Sequence, residues 1–401
     1  MKNRLLTLFI LVPFLFACTK PANNNENQEQ NQEQNQEQNQ NNENQNQGGT
    51  EEEEDLAPEV TDGATILVVK DNVEKFLTEV NYPENDYSET HILDEAYGPA
   101  APGNSDQPPM FTIRWKADKS AGDPVARLWE DDGWSRDYTT LSADDYYITI
   151  TNLRPNANYH YEVKAGSKVL TSGSFKTIGH VHQLFFYSRV RNVRDLGGWK
   201  TKDGSKMVKY RKIYRGGRLQ KSTLTSKGMK DVLAEGIRAQ LDLRGKSDVL
   251  TESPFGNDFD FLAPVIEEGY TTLLKNDQAK AKQCFEFIAK CVHEDKPVYF
   301  HCSLGRDRTG TIGMMILGIL GVNEGDISKE YELTQFAPHG WATSEGEKTK
   351  MTRKADYDEA AKYIWSLAGE GGSFADGMQN YLLSIGVAQE TIDQFRSEML
   401  E

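Results

Sequence analysis

Residues Val298 to Gly310 read Val-Tyr-Phe-His-Cys-Ser-Leu-Gly-Arg-Asp-Arg-Thr-Gly, and few folds can accommodate such a run. An apolar strand ends at His301, a loop runs to Arg308, and a helix of small residues starts near Thr309 and continues through Met314, Met315 and Leu317. A strand, a loop and a helix N-terminus in that order make an anion site, because backbone N–H groups converge where the helix dipole favours negative charge. A cysteine at the start of the loop, Cys302, has its pKa lowered and is largely thiolate at neutral pH. Six residues on, Arg308 can reach back as a bidentate fork for phosphate oxygens. Gly305 lets the backbone approach the anion closely. The chain has four cysteines, and each has about one chance in twenty of an arginine at that spacing. With the preceding His, the Gly and the following Thr-Gly, an accidental match falls to roughly one in 10⁴.

The run resembles the His-Cys-x5-Arg-Ser/Thr loop of the cysteine-dependent tyrosine phosphatase superfamily. Within it, the nearest pattern is His-Cys-x-x-Gly-Lys-Asp-Arg-Thr-Gly, found in bacterial secreted tyrosine and phosphoinositide phosphatases. Arg191-Asn-Val-Arg-Asp-Leu-Gly-Gly198, Tyr214-Arg-Gly-Gly-Arg-Leu219 and Leu241-Asp-Leu-Arg244 extend the match over most of residues 185–320. Arg306 stands where that family has lysine, which keeps the charge but not the shape. The resemblance implies a central, mostly parallel sheet flanked by helices, with the site at the carboxyl end of a strand. It also implies that Cys302 attacks phosphorus to form a phosphocysteine. Ser303, Leu304, Gly305, Arg306, Arg308 and Thr309 would hold the phosphate, with Thr309 also donating to the sulfur. His301 would orient the loop from behind, and Asn192, Arg194, Asp195 and Arg244 would brace it. The general acid is implied to be Asp307, with Glu268 and Asp260 as alternatives. The substrate class is phosphotyrosine, with phosphoinositides or inositol phosphates second, and neither metal nor cofactor is implied. The competing reading is a catalytically idle surface protein that binds a phosphorylated ligand.

Charge is distributed unevenly. The net charge is −16, and the excess lies in residues 1–179, which hold 14 basic against 30 acidic residues. That excludes a generally basic nucleic-acid binder. Arg189 to Lys230 reverses the balance, with 14 basic and 2 acidic residues. Arg191, Arg194, Arg215 and Arg218 from this stretch would stabilise the loop or draw in an anionic substrate. No apolar run reaches the roughly 18 residues of an internal membrane span. Cys284 and Cys291 share one face of an amphipathic helix, Ala279–Val292, and read as core, with a protective disulfide to Cys302 as the alternative. His180 and His182 lack a metal-ligating partner at ligand spacing.

At the other end of the chain, Lys2 and Arg4 precede an apolar stretch, Leu5–Phe16, and then Ala17 and Cys18. This is the layout of a secretory signal. Leu15-Phe16-Ala17-Cys18 resembles a bacterial lipobox, although Phe16 stands where a smaller residue is usual. Residues 1–17 are therefore expected to be a lipoprotein signal, with Cys18 lipidated and the protein anchored in the cell envelope of a Gram-negative bacterium, in its outer membrane. Residues 18–59, rich in Asn, Gln and Glu, are expected to be a disordered tether. Residues 60–178 carry short alternating segments, among them Phe111–Trp115, Tyr146–Ile150, Tyr159–Val163 and Ser172–Thr177. These predict a small all-β sandwich, and Leu153-Arg-Pro-Asn-Ala-Asn-Tyr159 with Tyr161-Glu-Val163 resembles a fibronectin type III module. The expected role is a spacer whose deletion spares activity. Trp129 and Trp134 look exposed, and Val73–Val80 is ambiguous. Residues 179–401 are expected to form the phosphatase domain, with helices over Thr311–Leu320, Asp356–Ala368 and Gly377–Leu400 and a segment, His339–Lys354, that could cover the site.

Overall fold

Alternation with period two builds the first sheet. In β3 (Pro124–Glu130), Pro124, Ala126, Leu128 and Glu130 point inward while the residues between them face out or lie half-buried. β6 (Asn158–Ala165) does the same with Tyr159, Tyr161, Val163 and Ala165, and Tyr159 stacks on Phe175 with ring centroids 5.2 Å apart. This is the pattern of a sheet packed on one face. The computed structural model describes residues 56–87, 107–337 and 353–401. The expected signal, Cys18, all but the end of the tether and most of His339–Lys354 lie outside those residues.

β1 (Ala64–Leu67) is followed by α1 (Asp71–Glu79), β2 (Phe111–Arg114), β3, β4 (Ser135–Tyr138), β5 (Tyr147–Ile150), β6 and β7 (Lys168–Ile178). The five-stranded sheet has the order β1-β7-β6-β3-β4, and β2 pairs with β5 in a separate ribbon. The sheet is antiparallel except that β1 runs parallel to β7. The expectation of an all-β region meets a helix in α1. Val73, Phe76 and Leu77 are its buried residues and Val80 is buried just past its end, a spacing of three and four that fits a helix and not a strand.

The second sheet combines β8 (Arg194–Asp195), β9 (Ile213–Gly216), β10 (Ala239–Asp242), β11 (Asp260–Leu262) and β12 (Val298–His301) in the order β11-β10-β12-β9-β8. The first four positions in that order are parallel, and β8 closes the edge antiparallel. Around it lie α2 (Ser226–Ala234), α3 (Tyr270–Asn276), α4 (Gln278–His293), α5 (Asp307–Ile319), α6 (Glu324–Glu332), a 3₁₀ turn (Leu333–Phe336), α7 (Lys354–Trp365), α8 (Phe374–Ser384) and α9 (Gln389–Met399). β12 is central and every residue in it is buried, as expected of a parallel strand covered on both faces. α5 leaves its carboxyl end and is buried along almost its whole length.

Residues on both sides of position 178 share one apolar core and belong to one compact unit, Ala57–Glu401. The contact between the two sheets is polar as well as apolar. Glu130 accepts from Arg211 and Arg154, Arg136 pairs with the buried Asp231, and Asn152 exchanges hydrogen bonds with the backbone of Phe185. Trp134 lies under the Arg211 guanidinium at 4.3 Å, so it is packed at this junction and not free for an external ligand. Trp129 stacks on His160. A module serving only as a spacer would not need buried charges on this face.

Candidate active site

The loop between β12 and α5 is held through its carbonyls. Gly305 has φ +73°, and a Cβ there would lie 2.5 Å from the Gly216 carbonyl carbon and 2.8 Å from Gly217 N. Only glycine allows that approach. Asn192 Nδ2 donates to the carbonyls of Leu304 and Gly305, each at 3.1 Å. Arg215 Nη2 donates to the Gly305 carbonyl at 2.6 Å, and Arg218 N donates to the Ser303 carbonyl at 3.3 Å. With the carbonyls engaged by these donors, the loop's N–H groups are left for an anion, as an anion-binding loop requires. The two arginine-rich blocks are therefore scaffolding for the loop.

Cys302 is 3% exposed at the start of this loop. Burial alone would raise its thiol pKa, but the Arg308 charge and hydrogen bonding from Thr309 outweigh burial, and the net shift is downward. The Thr309 hydroxyl has no other partner among the described residues. Arg308 is half-buried and steadied by a 3.0 Å hydrogen bond from Nη1 to the Ile266 carbonyl. His301 is fully buried, and burial pushes its pKa down to about 4, so it is neutral. The Gln240 amide donates both to the Leu219 carbonyl and to His301 Nε2. Nδ1 must then carry the proton, and it lies 3.2 Å from the Cys302 carbonyl. A neutral ring fixed at both nitrogens orients the loop without adding charge.

The remaining braces act at one remove. Arg194 donates to Asn192 Oδ1 and to Glu330, and Arg215 pairs with the other Glu330 oxygen. Thr334 Oγ1 accepts from Asn192 at 3.4 Å. The Arg244 guanidinium makes two hydrogen bonds to Asp242 and one to Gln220. Asp195 does not reach the loop: it accepts from Gly197 N and Arg211 N and faces His182. Its place is at the junction of the sheets.

Three carboxylates were candidates for the acid. Asp307 opens α5; Oδ1 accepts from Tyr270 and from Arg306 Nε, and Oδ2 accepts from Arg306 Nη2 at 3.2 Å. Arg306 thus forks onto its neighbour. Glu268 is exposed in the loop before α3, and a Cβ on the next residue, Gly269, would lie 2.9 Å from Arg308 N. That loop is packed against the start of α5. Asp260 is excluded by topology. It pairs in register with Ala239 at the amino end of the sheet, and Lys290 and Lys296 bind it.

Cys284 and Cys291 are buried free thiols in α4, and burial pushes Cys291 up to about 12. His180 pairs with Glu74, whereas His182 contacts Asp195 and the Asn152 carbonyl, so the two share no partner among the described residues. Glu330, Thr334, Gln240, Tyr270 and Asp248, whose carboxylate accepts from Ser303 Oγ at 2.7 Å, were not singled out from the sequence. A buried acid such as Glu330 carries a signal only once its arginines are known.

The model of the tyrosine phosphatase family matches residues 186–401. A tyrosine-protein phosphatase of Nostoc commune is 29% identical over 140 residues, 32% of this chain, and the match spans 47% of that relative, about half its length. A Cupriavidus necator protein named for the same activity is 22% identical over 243 residues, covering 55% of this chain and 85% of its own. Among solved structures, P. aeruginosa TpbA in complex with phosphotyrosine aligns at 14% identity, covering 45% of this chain and 90% of its own, with a TM-score of 0.28. Tk-PTP aligns at 16% identity, 39% and 93% coverage, and a TM-score of 0.25.

Proposed function

The chain belongs to the tyrosine phosphatase family, and on that premise we propose that it hydrolyses phosphomonoesters through a phosphocysteine, with phosphotyrosine as the leading substrate. The observation carrying this reading is the Cys302 thiol, whose pKa is held down by Arg308 at the start of a buried helix. Cys302 Sγ attacks phosphorus while the P–O bond to the leaving group breaks, and Asp307 gives that oxygen its proton. Arg308 and the loop amides hold the equatorial oxygens through the transition state. Water then attacks phosphorus, the P–S bond breaks, and phosphate leaves. Thr309 stabilises the departing thiolate, and Asp307 takes the water's proton. Glu268 is the alternative acid, favoured by its exposure beside the loop while Asp307 already holds two donors.

Phosphoinositides or inositol phosphates are the second substrate class, as the loop's resemblance implies, although Arg306 is buried and forked onto Asp307. We also infer that residues 1–17 are a lipoprotein signal, that Cys18 carries the lipid, and that residues 18–59 tether the enzyme to the cell envelope. Residues 98–178 would form a fibronectin type III-like module. The test is turnover of an aryl phosphate at mildly acidic pH in EDTA, for the full chain and for Cys302→Ser, followed by phosphotyrosine peptide and phosphoinositide substrates. Activity lost in the variant supports the thiolate mechanism. A folded, reduced parent without turnover on any of these overturns the enzyme reading in favour of phosphate binding.

A further inference from the structure

Helix α6 and the 3₁₀ turn after it lie between the phosphate loop and a segment far from it in sequence. On the loop side, Glu330 binds Arg194 and Arg215, and Thr334 accepts from Asn192. Arg215 and Asn192 are the groups that hold the Gly305 and Leu304 carbonyls. On the other side, Lys329 Nζ donates to the Leu77 carbonyl at 3.2 Å. Tyr82 donates its hydroxyl to Glu332 Oε2 at 2.6 Å, and Asn85 N donates to Glu324 Oε2 at 3.1 Å. The Phe76 ring packs 5.8 Å from Phe336. Contact with the segment is close enough that a Cβ at Gly325 would lie 2.2 Å from the Tyr82 carbonyl oxygen.

All these outer partners come from residues 76–85, outside the family match at 186–401. Glu324, Lys329, Glu330 and Glu332 are all buried. A buried charge keeps its position only while its partners keep theirs, because an unpaired one is costly in a low-dielectric interior. A close-packed helix also transmits displacement instead of absorbing it. The two faces of α6 are therefore mechanically coupled.

We propose that residues 76–85, with Tyr82 as the principal contact, are a positioning element of the catalytic centre, setting α6 and through Glu330 and Thr334 the carbonyls that aim the loop amides. The proposal rests on the loop being the reactive site. The test uses the full chain with Tyr82→Ala and Tyr82→Phe, and Asp71→Ala as an exposed control at the start of α1, outside residues 76–85. Two quantities are read: kcat and KM on an aryl phosphate, and the pH midpoint of Cys302 alkylation by iodoacetamide. A displacement of about 1 Å can cost on the order of a hundredfold in rate. Tyr82→Ala is expected to lower kcat about tenfold with KM nearly unchanged and to move the alkylation midpoint upward, Tyr82→Phe to do so by about threefold, and Asp71→Ala to do neither. A folded Tyr82→Ala protein with wild-type kcat and alkylation midpoint overturns the proposal. If that variant does not fold, Tyr82→Phe decides on the same criteria. Alkylation needs no turnover. A wild-type chain that alkylates at low pH but hydrolyses nothing would therefore remove the phosphatase reading, while a shifted midpoint in the variants would still support the positioning role.

Discussion

Replacing Glu130 with alanine should destabilise the whole chain, because its partner cannot follow it into water. Glu130 is 2% exposed and binds Arg211 Nη2 and Arg154, the latter at 2.8 Å. Arg154 also holds Asp132 at 3.0 Å, so it keeps an anion in the variant. Arg211 does not: its side chain is 12% exposed, it lies over Trp134, and its Nε and Nη1 already have no partner among the described residues. Stranding one member of a buried pair costs about 3–5 kcal/mol, a fifth or more of the roughly 5–15 kcal/mol that holds a native protein together. At about 2 °C per kcal/mol for a unit of this size, Tm falls by roughly 6–10 °C. The assay is thermal unfolding of the full chain followed by circular dichroism and by tryptophan fluorescence. Both signals should shift together in a single transition. Adding Arg211→Met should recover most of the loss, since packed apolar groups replace a buried pair at little cost.

The pH dependence has a definite sign. Burial works to raise the Glu130 pKa, but its arginine partners outweigh burial and hold it below the ordinary carboxylate range. A depressed carboxylate contributes stability above its unfolded-state pKa and loses it as pH falls through the folded value. The gap between wild type and Glu130→Ala should therefore be full at pH 7 and shrink below about pH 4. A loss under about 1 kcal/mol, or a separate transition for the β-rich half with loss of activity unmoved, would refute the reasoning. Residues 57–178 would then be a detachable spacer, and their deletion would spare activity.

Gly305→Ala should abolish turnover while costing about 1–2 kcal/mol for the left-handed backbone, because the added methyl meets the Gly216 backbone at 2.5 Å; steady-state kinetics and urea unfolding separate the two effects. Asp307→Asn should slow an alkyl phosphate about a hundredfold and p-nitrophenyl phosphate much less, since that leaving group needs no proton; if Glu268→Gln shows this pattern instead, the acid is Glu268. Iodoacetamide at neutral pH should label Cys302 and leave Cys284 and Cys291 unmodified, because burial raises both of their thiols; peptide mapping reads the sites. Glu235 is buried, neither carboxylate oxygen has a hydrogen-bond partner among the described residues, and burial raises its pKa. Wild type should lose stability as pH rises through that elevated value, so Glu235→Gln should be the more stable protein at pH 8 but not at pH 4, as urea midpoints would show.

What could be read from the sequence was what the chain places in succession. Strand, Cys302, Gly305, Arg308 and helix are contiguous, so their spacing alone states the geometry. The alternation in Tyr159–Val163 likewise announced a strand, which the structure extends to Asn158–Ala165. Glu130 shows where reading by pattern stopped short. It occupies the inward phase of its strand, in step with Ala126 and Leu128, and an acid in that phase requires a buried cation. The cation is Arg211, 81 residues away, in a basic stretch from which the sequence singles out only Arg191, Arg194, Arg215 and Arg218.

Helix α6 was invisible for the same reason in stronger form. Glu-Gly-Asp-Ile-Ser-Lys-Glu-Tyr-Glu has the composition of a solvent-facing helix, yet eight of its residues are buried. Hydrophobic periodicity detects burial only when apolar groups do the burying. Here ion pairs and hydrogen bonds do it, with partners drawn from Arg194 and Arg215 on one side and from Leu77, Tyr82 and Asn85 on the other. The charges that made α6 look peripheral are the ones that fasten it between the phosphate loop and the amino-terminal segment. A helix held on both faces by charge cannot be repositioned without unpairing one of them, and this is why the loop's geometry depends on residues that the family pattern does not contain.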